Sequence, residues 1–285
     1  MKKNKYILMG AWMLCSLAAS LAGCSDDAIP EQPETDTWNV LLTRSATDGN
    51  NVTVALRYGE TTSYGILIPS SQGTTTATWE TKPQWPDNND TEVEVITFCP
   101  QVETLPGTVS CTDNIMYKMD RVTCTPNNKP ATFEFTHLMA QLEVHIKIND
   151  DAEHHYTPTD GNINLYIKGT VDYPNEELIP YGTVEAFSLG KFTKEGGTAS
   201  VENWTNSAQL VIPQTLAEGK PCLTFKAGDK TYTFTPEEDI VLNPGKKTKL
   251  YLGVAYENDY IVLDGEGVTV TAWDNGEDFG NKEAE

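Results

Sequence analysis

Between Phe135 and Ile148 the chain reads FTHLMAQLEVHIKI, and at a period of two Leu138, Ala140, Leu142, Val144, Ile146 and Ile148 fall on one face. Met139, Gln141, Glu143, His145 and Lys147 fall on the other. A helix would scatter the six apolar residues around its circumference, so the pattern predicts a long β-strand with one face in a core. Phe133 and Phe135 stand in the opposite phase, which predicts a bulge or bend near Thr136 and His137 that turns both sets inward.

The same alternation recurs in shorter runs. Trp38, Val40 and Leu42 form one; Val52, Val54 and Leu56 a second; Tyr64, Ile66 and Ile68 a third, closed by Pro69. Val93 and Val95 lead into Phe98-Cys99-Pro100, and Asn114–Tyr117 with Val122–Cys124 could make a hairpin. In the second half Ile163, Leu165 and Ile167 alternate, and Ala227-Gly228-Asp229-Lys230 is a hairpin signal between Leu223–Phe225 and Tyr232–Phe234. The last run puts Val268, Val270 and Ala272 on one face and Thr269, Thr271 and Trp273 on the other. Many short strands separated by turn residues, with no helix-length pattern between them, predict an all-β chain of two antiparallel β-sandwiches. The polar stretch from Asn149 to Asn162 marks the expected boundary, with one sandwich over residues 38–152 and the other over 153–285.

The remaining residues come first. Lys2, Lys3 and Lys5 form a basic start, Tyr6 to Ser20 an apolar run, and Leu21-Ala22-Gly23-Cys24 has the form of a lipobox. Small Ala22 and Gly23 would let a membrane peptidase reach the bond, and the Cys24 thiol would take the diacylglycerol. Residues 1–23 are then a lipoprotein signal peptide, and residues 24–37, acidic and proline-containing, a flexible tether. Ser25-Asp26-Asp27 is similar to the acidic tract of lipoproteins exported to the outer face of the outer membrane. Of 285 residues 41 are acidic and 20 basic, a net charge of −21 that repels phosphate backbones and argues against nucleic acid as a partner.

Little in the chain points to catalysis. It has no GxSxG, P-loop or GxGxxG motif, and carboxylates are too plentiful for any pair to stand out. Neither a metal nor a cofactor is expected: no CxxC spacing supports zinc, His154-His155 read best as part of a solvated acidic loop, and the acidic turns at Asp87–Asp90 and Asp274–Asp278 lack EF-hand spacing. With Cys15 in the leader and Cys24 lipidated, Cys99, Cys111, Cys124 and Cys222 remain. Cys111 and Cys124 flank the candidate hairpin and make the best disulfide pair, with buried free thiols equally open.

Taken in order, Trp85-Pro86, TFCP ending at Pro100, DNIMY at Asp113–Tyr117, FTHLMAQLEVHI, LVIPQTL at Leu210–Leu216, NPGKKTKLYLGV at Asn243–Val254 and the terminal VTVTAW closely resemble the fimbrillin-like lipoproteins. The resemblance implies two transthyretin-like sandwiches, export as a lipoprotein, and assembly with other fimbrial subunits into surface fimbriae that serve adhesion. It implies too that a trypsin-like protease cuts after an Arg near the mature N-terminus and removes the first strand, leaving a groove for a strand of the next subunit. Arg44 matches the cut site, Trp38, Val40 and Leu42 the displaced strand, and Val268, Val270 and Ala272 the donor. A second reading is a monomeric surface lipoprotein in which Trp79, Trp85 or Trp204 would stack on a glycan.

Overall fold

In the computed structural model, residues 38–42, 47–70, 76–149, 156–194, 204–255 and 260–272 are described. The leader, the tether, Cys24, Arg44, His154-His155, Trp273 and the acidic turn at 274–278 lie outside them. In chain order the first strands are β1 (Val52–Tyr58), β2 (Thr61–Ile68), β3 (Thr78–Thr81), β4 (Val93–Cys99), β5 (Thr108–Ser110), β6 (Lys118–Cys124) and β7 (Thr136–His137). Then come β8 (Ala140–Asn149), β9 (Thr159–Asp172), β10 (Glu177–Ser188), β11 (Thr193–Lys194) and β12 (Trp204–Val211). Last are β13 (Gln214–Leu216), β14 (Leu223–Ala227), β15 (Lys230–Phe234), β16 (Ile240–Leu242), β17 (Lys246–Ala255) and β18 (Tyr260–Ala272). The all-β expectation is met.

One six-stranded sheet has the order β3-β2-β1-β4-β6-β7. Its central strands are apolar on both faces because both faces are covered. Val52, Val54, Leu56, Leu67, Val93 and Val95 point into a small core, while Ala55, Ile96, Phe98 and Met119 point into a larger one. A five-stranded sheet, β11-β12-β8-β17-β18, supplies Leu142, Val144, Ile146, Leu250, Leu252 and Val254 to the larger core. Another sheet, β10-β9-β14-β15 with β5 on β9, supplies Ile163, Leu165 and Phe225. The expected hairpin at 227–230 forms: Ala227 faces Lys230 across β14 and β15, and Gly228 takes the positive φ of 58° that the turn requires.

Three expectations are corrected. The run from Phe135 to Ile148 is two strands, because the chain changes sheets at Leu138-Met139. Thr136–His137 pairs with β6, and from Ala140 onward the chain lies between β12 and β17. Both crossover residues are fully buried and tied by backbone: Leu138 N–H donates to the Tyr117 carbonyl at 2.8 Å, and the Met139 carbonyl accepts from Gly245 at 2.9 Å. The phase change at Phe133 and Phe135 therefore reflects two different cores rather than a bulge within one. The division at 152/153 does not follow the pairing either, since β8 hydrogen-bonds strands from the second half alone and β5 pairs with β9. The described sheets are antiparallel as expected, with one parallel pair between β8 and β17 that the long intervening chain allows.

Of the two readings left open for Cys111 and Cys124, a disulfide or buried free thiols, the structure has the free thiols. Thr108–Ser110 pairs with β9 rather than β6, which carries Cys111 into the larger core while Cys124 faces the smaller one. Cys99, Cys111, Cys124 and Cys222 are all free and buried. Burial pushes the Cys99 and Cys222 thiols up to about 12 and those of Cys111 and Cys124 up to about 11, so all four stay protonated.

The outward face of β8 is more buried than its polarity predicts: Gln141 is fully buried and His145 nearly so. Charge pairing makes this tolerable. Glu143 lies 3.2 Å from Lys247 Nζ, 3.5 Å from Lys249 Nζ and 3.3 Å from His145 Nε2, while His145 stacks on Tyr251. Burial alone would push the Glu143 carboxyl up, but hydrogen bonds from His145 and Lys247 and the charges of Lys247 and Lys249 bring it down to about 2. Because this value is depressed, ionised Glu143 stabilises the fold above the ordinary carboxylate range and loses that contribution as pH falls through its folded value. We expect Glu143→Gln to lower stability in urea titrations by on the order of 3 kcal/mol at pH 7, with the difference from wild type shrinking between about pH 4.5 and pH 2. A difference that does not change with pH would contradict this.

Candidate functional site

The small core has one wall from the six-stranded sheet and needs a second. Residues 38–42 provide most of it. The segment alternates as the sequence predicts: Trp38, Val40 and Leu42 are buried, Asn39 and Leu41 exposed. Of the buried apolar residues on this second wall, Trp38, Val40 and Leu42 come from the segment, and Ala77 and Phe133 complete it.

Backbone bonds seat the segment between two other stretches. Leu41 N–H donates to the Ala131 carbonyl at 2.7 Å, and Ala77 N–H donates to the Val40 carbonyl at 2.8 Å. Leu41 bridges in parallel to Thr132 and antiparallel to Thr76, so the segment is a short middle strand. At its start Trp38 sits in an aromatic box. Its ring centroid is 4.8 Å from that of Trp79, 4.9 Å from Trp85 and 6.4 Å from Phe133, in tilted and edge-on contacts that suit aromatic quadrupoles. Its indole N–H donates to the Pro130 carbonyl at 2.7 Å, and its own carbonyl accepts from the Trp79 indole at 2.9 Å.

The walls of this box are themselves held. After β3 the chain passes so close to Gly65 that a Cβ there would lie 2.7 Å from the Pro83 nitrogen, and the close pass brings Trp85 to Trp38. The Lys129 ammonium stands 5.0 Å from the Trp85 ring centroid. Phe133 is fixed through Asp120 on β6, whose carboxylate accepts N–H bonds from Arg121 and Glu134, both at 2.8 Å. Burial raises the Asp120 carboxyl, with those two bonds working against the rise.

Beyond the undescribed residues 43–46 the chain is anchored again. Buried Lys118 reaches Asp48 at 2.7 Å, and Cys99 Sγ donates to the Thr47 carbonyl at 3.5 Å. A break between Leu42 and Thr47 would leave the downstream chain fastened and the segment held by non-covalent contacts alone. Those contacts are substantial. Burying Val40 and Leu42 is worth about 1.5–3 kcal/mol each and truncating a buried Trp costs about 3–5, so the three side chains represent roughly 6–11 kcal/mol. That is comparable with the whole net stability of a typical domain, about 5–15 kcal/mol.

The proposed donor residues lie elsewhere, on β18 at the edge of the β11-β12-β8-β17-β18 sheet. β18 pairs with β17 in two stretches, Tyr260–Leu263 and Val268–Ala272, with a register shift between them. Val268 packs against the larger core and Val270 is 50% exposed, so the expected apolar face is only partly used. Of the tryptophans assigned to a glycan in the second reading, Trp79 and Trp85 instead pack on Trp38. Sequence alone missed them as groove walls, together with Pro130 and Phe133; no periodicity links them, and the density of aromatics around the prolines was their only signal. Among the described residues no cluster of His, Cys, Asp or Glu could hold a metal ion.

Comparison with known proteins agrees with this architecture. A proposed cell adhesion protein of Bacteroides uniformis superposes with a TM-score of 0.57 over 84% of this chain and 99% of its own, at 15% identity. One from Bacteroides ovatus gives 0.50 over 79% and 87%, at 13% identity. No curated protein matches the sequence. The profile of the fimbrillin-like family matches residues 43–273. With that match across most of its length and an all-β fold shared with those structures, the chain belongs to the fimbrillin-like family.

Proposed function

We propose that the chain is a fimbrial subunit, stalk or accessory, that is lipidated on Cys24 for transit to the outer membrane and assembles by strand exchange after cleavage behind Arg44. The observation that carries this reading is the burial of Trp38, Val40 and Leu42 in a core whose second wall they largely form. A segment in that position is part of the fold, yet it enters from the chain's N-terminal end and is joined to the rest only through residues 43–46. Cutting there turns it into a non-covalent occupant. Once it leaves, apolar side chains and the Ala77 N–H and Ala131 carbonyl are exposed, a cost that persists until another strand fills the place.

The donor end of the same scheme is β18, with Val268, Val270 and Ala272. Among the described residues it is an edge strand that pairs with β17 alone, so its terminal stretch can leave without parting two interior strands. The polymer formed this way stands on the cell surface and supports adhesion to a surface glycan or protein.

Two experiments test the scheme. Incubating the purified mature chain with a trypsin-like protease should yield a new N-terminus at Ser45, followed by SDS-resistant ladders once the other fimbrial subunits are added; polymers that retain residues 38–44 covalently would contradict the role of Arg44. Deleting residues after Gly265 should give a folded monomer that is cut but does not elongate. Elongation at the wild-type rate would remove β18 as the donor.

A further inference from the structure

The groove holding residues 38–42 also says what kind of strand can replace them. We infer, on the strand-exchange reading above, that it is built for a donor from a different subunit, one carrying a tryptophan followed two and four residues later by branched aliphatic residues. The backbone bonds at Leu41 and Val40, and the Trp79 indole bond to the Trp38 carbonyl, engage main chain only and are open to any sequence. Selection therefore falls on three side-chain sites at i, i+2 and i+4.

The first site is the most demanding. Three aromatic rings surround the Trp38 indole, and the Pro130 carbonyl takes its N–H at 2.7 Å. A phenylalanine would fill part of the space and leave that carbonyl unpaired; an alanine or valine would leave a cavity. At the second and third sites Val40 and Leu42 are fully buried within an apolar cluster, so a hydroxyl or charge there would lack a partner.

The chain's own terminal strand does not meet these demands in any register that uses its alternation. Its Val268, Val270, Ala272 face offers valine or alanine in place of the indole, whichever way the strand runs. The opposite face reaches the aromatic box with Trp273 when run backwards, but then sets Thr271 and Thr269 in the two aliphatic sites. Run forwards, Trp273 is followed at the same spacing by Asn275 and Glu277. The groove and β18 are thus mismatched within one chain, and a homopolymer joined through them is disfavoured. The neighbour that fills this groove is a second kind of subunit.

The test uses the full mature chain with a site-specific protease sequence placed at residues 43–46, cut while the segment is seated, so that the result does not depend on whether Arg44 is a natural site. A fluorescent peptide of residues 37–43 is bound to the cut chain after refolding from urea. It is then competed with the unlabelled peptide, its Trp38→Phe and Trp38→Ala versions, and a peptide of residues 268–273. We expect Trp38→Ala and the 268–273 peptide to compete roughly 100-fold or more weakly than the parent, and Trp38→Phe about tenfold more weakly. Melting temperatures of the cut chain refolded with each peptide should rank in the same order. If the 268–273 peptide competes within tenfold of the parent, the donor rule is wrong while strand exchange stands. If not even the parent peptide binds, strand exchange itself falls and takes the rule with it.

Discussion

A six-stranded sheet with apolar side chains on both faces gains stability from covering both of them, and on one side most of the cover is a five-residue stretch. Val52, Val54, Leu56, Val93 and Val95 present an aliphatic surface that Trp38, Val40 and Leu42 close. Ala77 and Phe133 alone are too few to do so. This makes residues 38–42 an integral layer, and it concentrates a sizeable share of the stability in a piece joined to the sheet through residues 43–46. In the proposed strand exchange, one peptide-bond cleavage would leave this layer held by non-covalent contacts alone.

The larger core gives the molecule its permanence. Leu138 and Met139 carry the chain from the first sheet to the second while fully buried, so the two sheets share one hydrophobic mass including Phe98, Met119, Leu142 and Ile163. The ion cluster at Glu143 ties β8 to β17 across a parallel pairing. The Lys118–Asp48 pair holds the chain just beyond residues 43–46. Residues 38–42 and the larger core are thus supported by different side chains.

Much of this was legible in the sequence because alternation is a direct record of burial in strands. Trp38, Val40 and Leu42, the alternating residues of β1 and β4, and the apolar face of β8 all sit inward as their period requires. What escaped has a common cause. The reading assumed that each strand has one buried face, whereas β1 and β4 are covered on both sides and β8 has Gln141 and His145 buried on its polar face. The switch of sheets at Leu138-Met139 was visible only as a phase change, which has a bulge as its simpler explanation. The separation of Cys111 from Cys124 depended on β5 choosing β9, a long-range pairing that local pattern cannot reveal. The aromatic box was not visible as a unit because Trp79 and Trp85 stand among turn residues with no periodicity linking them to Trp38, and the chain reaches it by the pass over Gly65.

Residues 38–42 form a structural layer over the small core. Native-state hydrogen exchange of the uncut protein tests this placement most directly, through the Leu41 amide, which donates to Ala131, and the Ala77 amide, which donates to Val40. We expect both to exchange as slowly as the amides of β1 and β4, within about tenfold, because opening the segment opens the small core. Exchange at the rate of an unstructured peptide at Leu41 and Ala77, with β1 and β4 still protected, would contradict it.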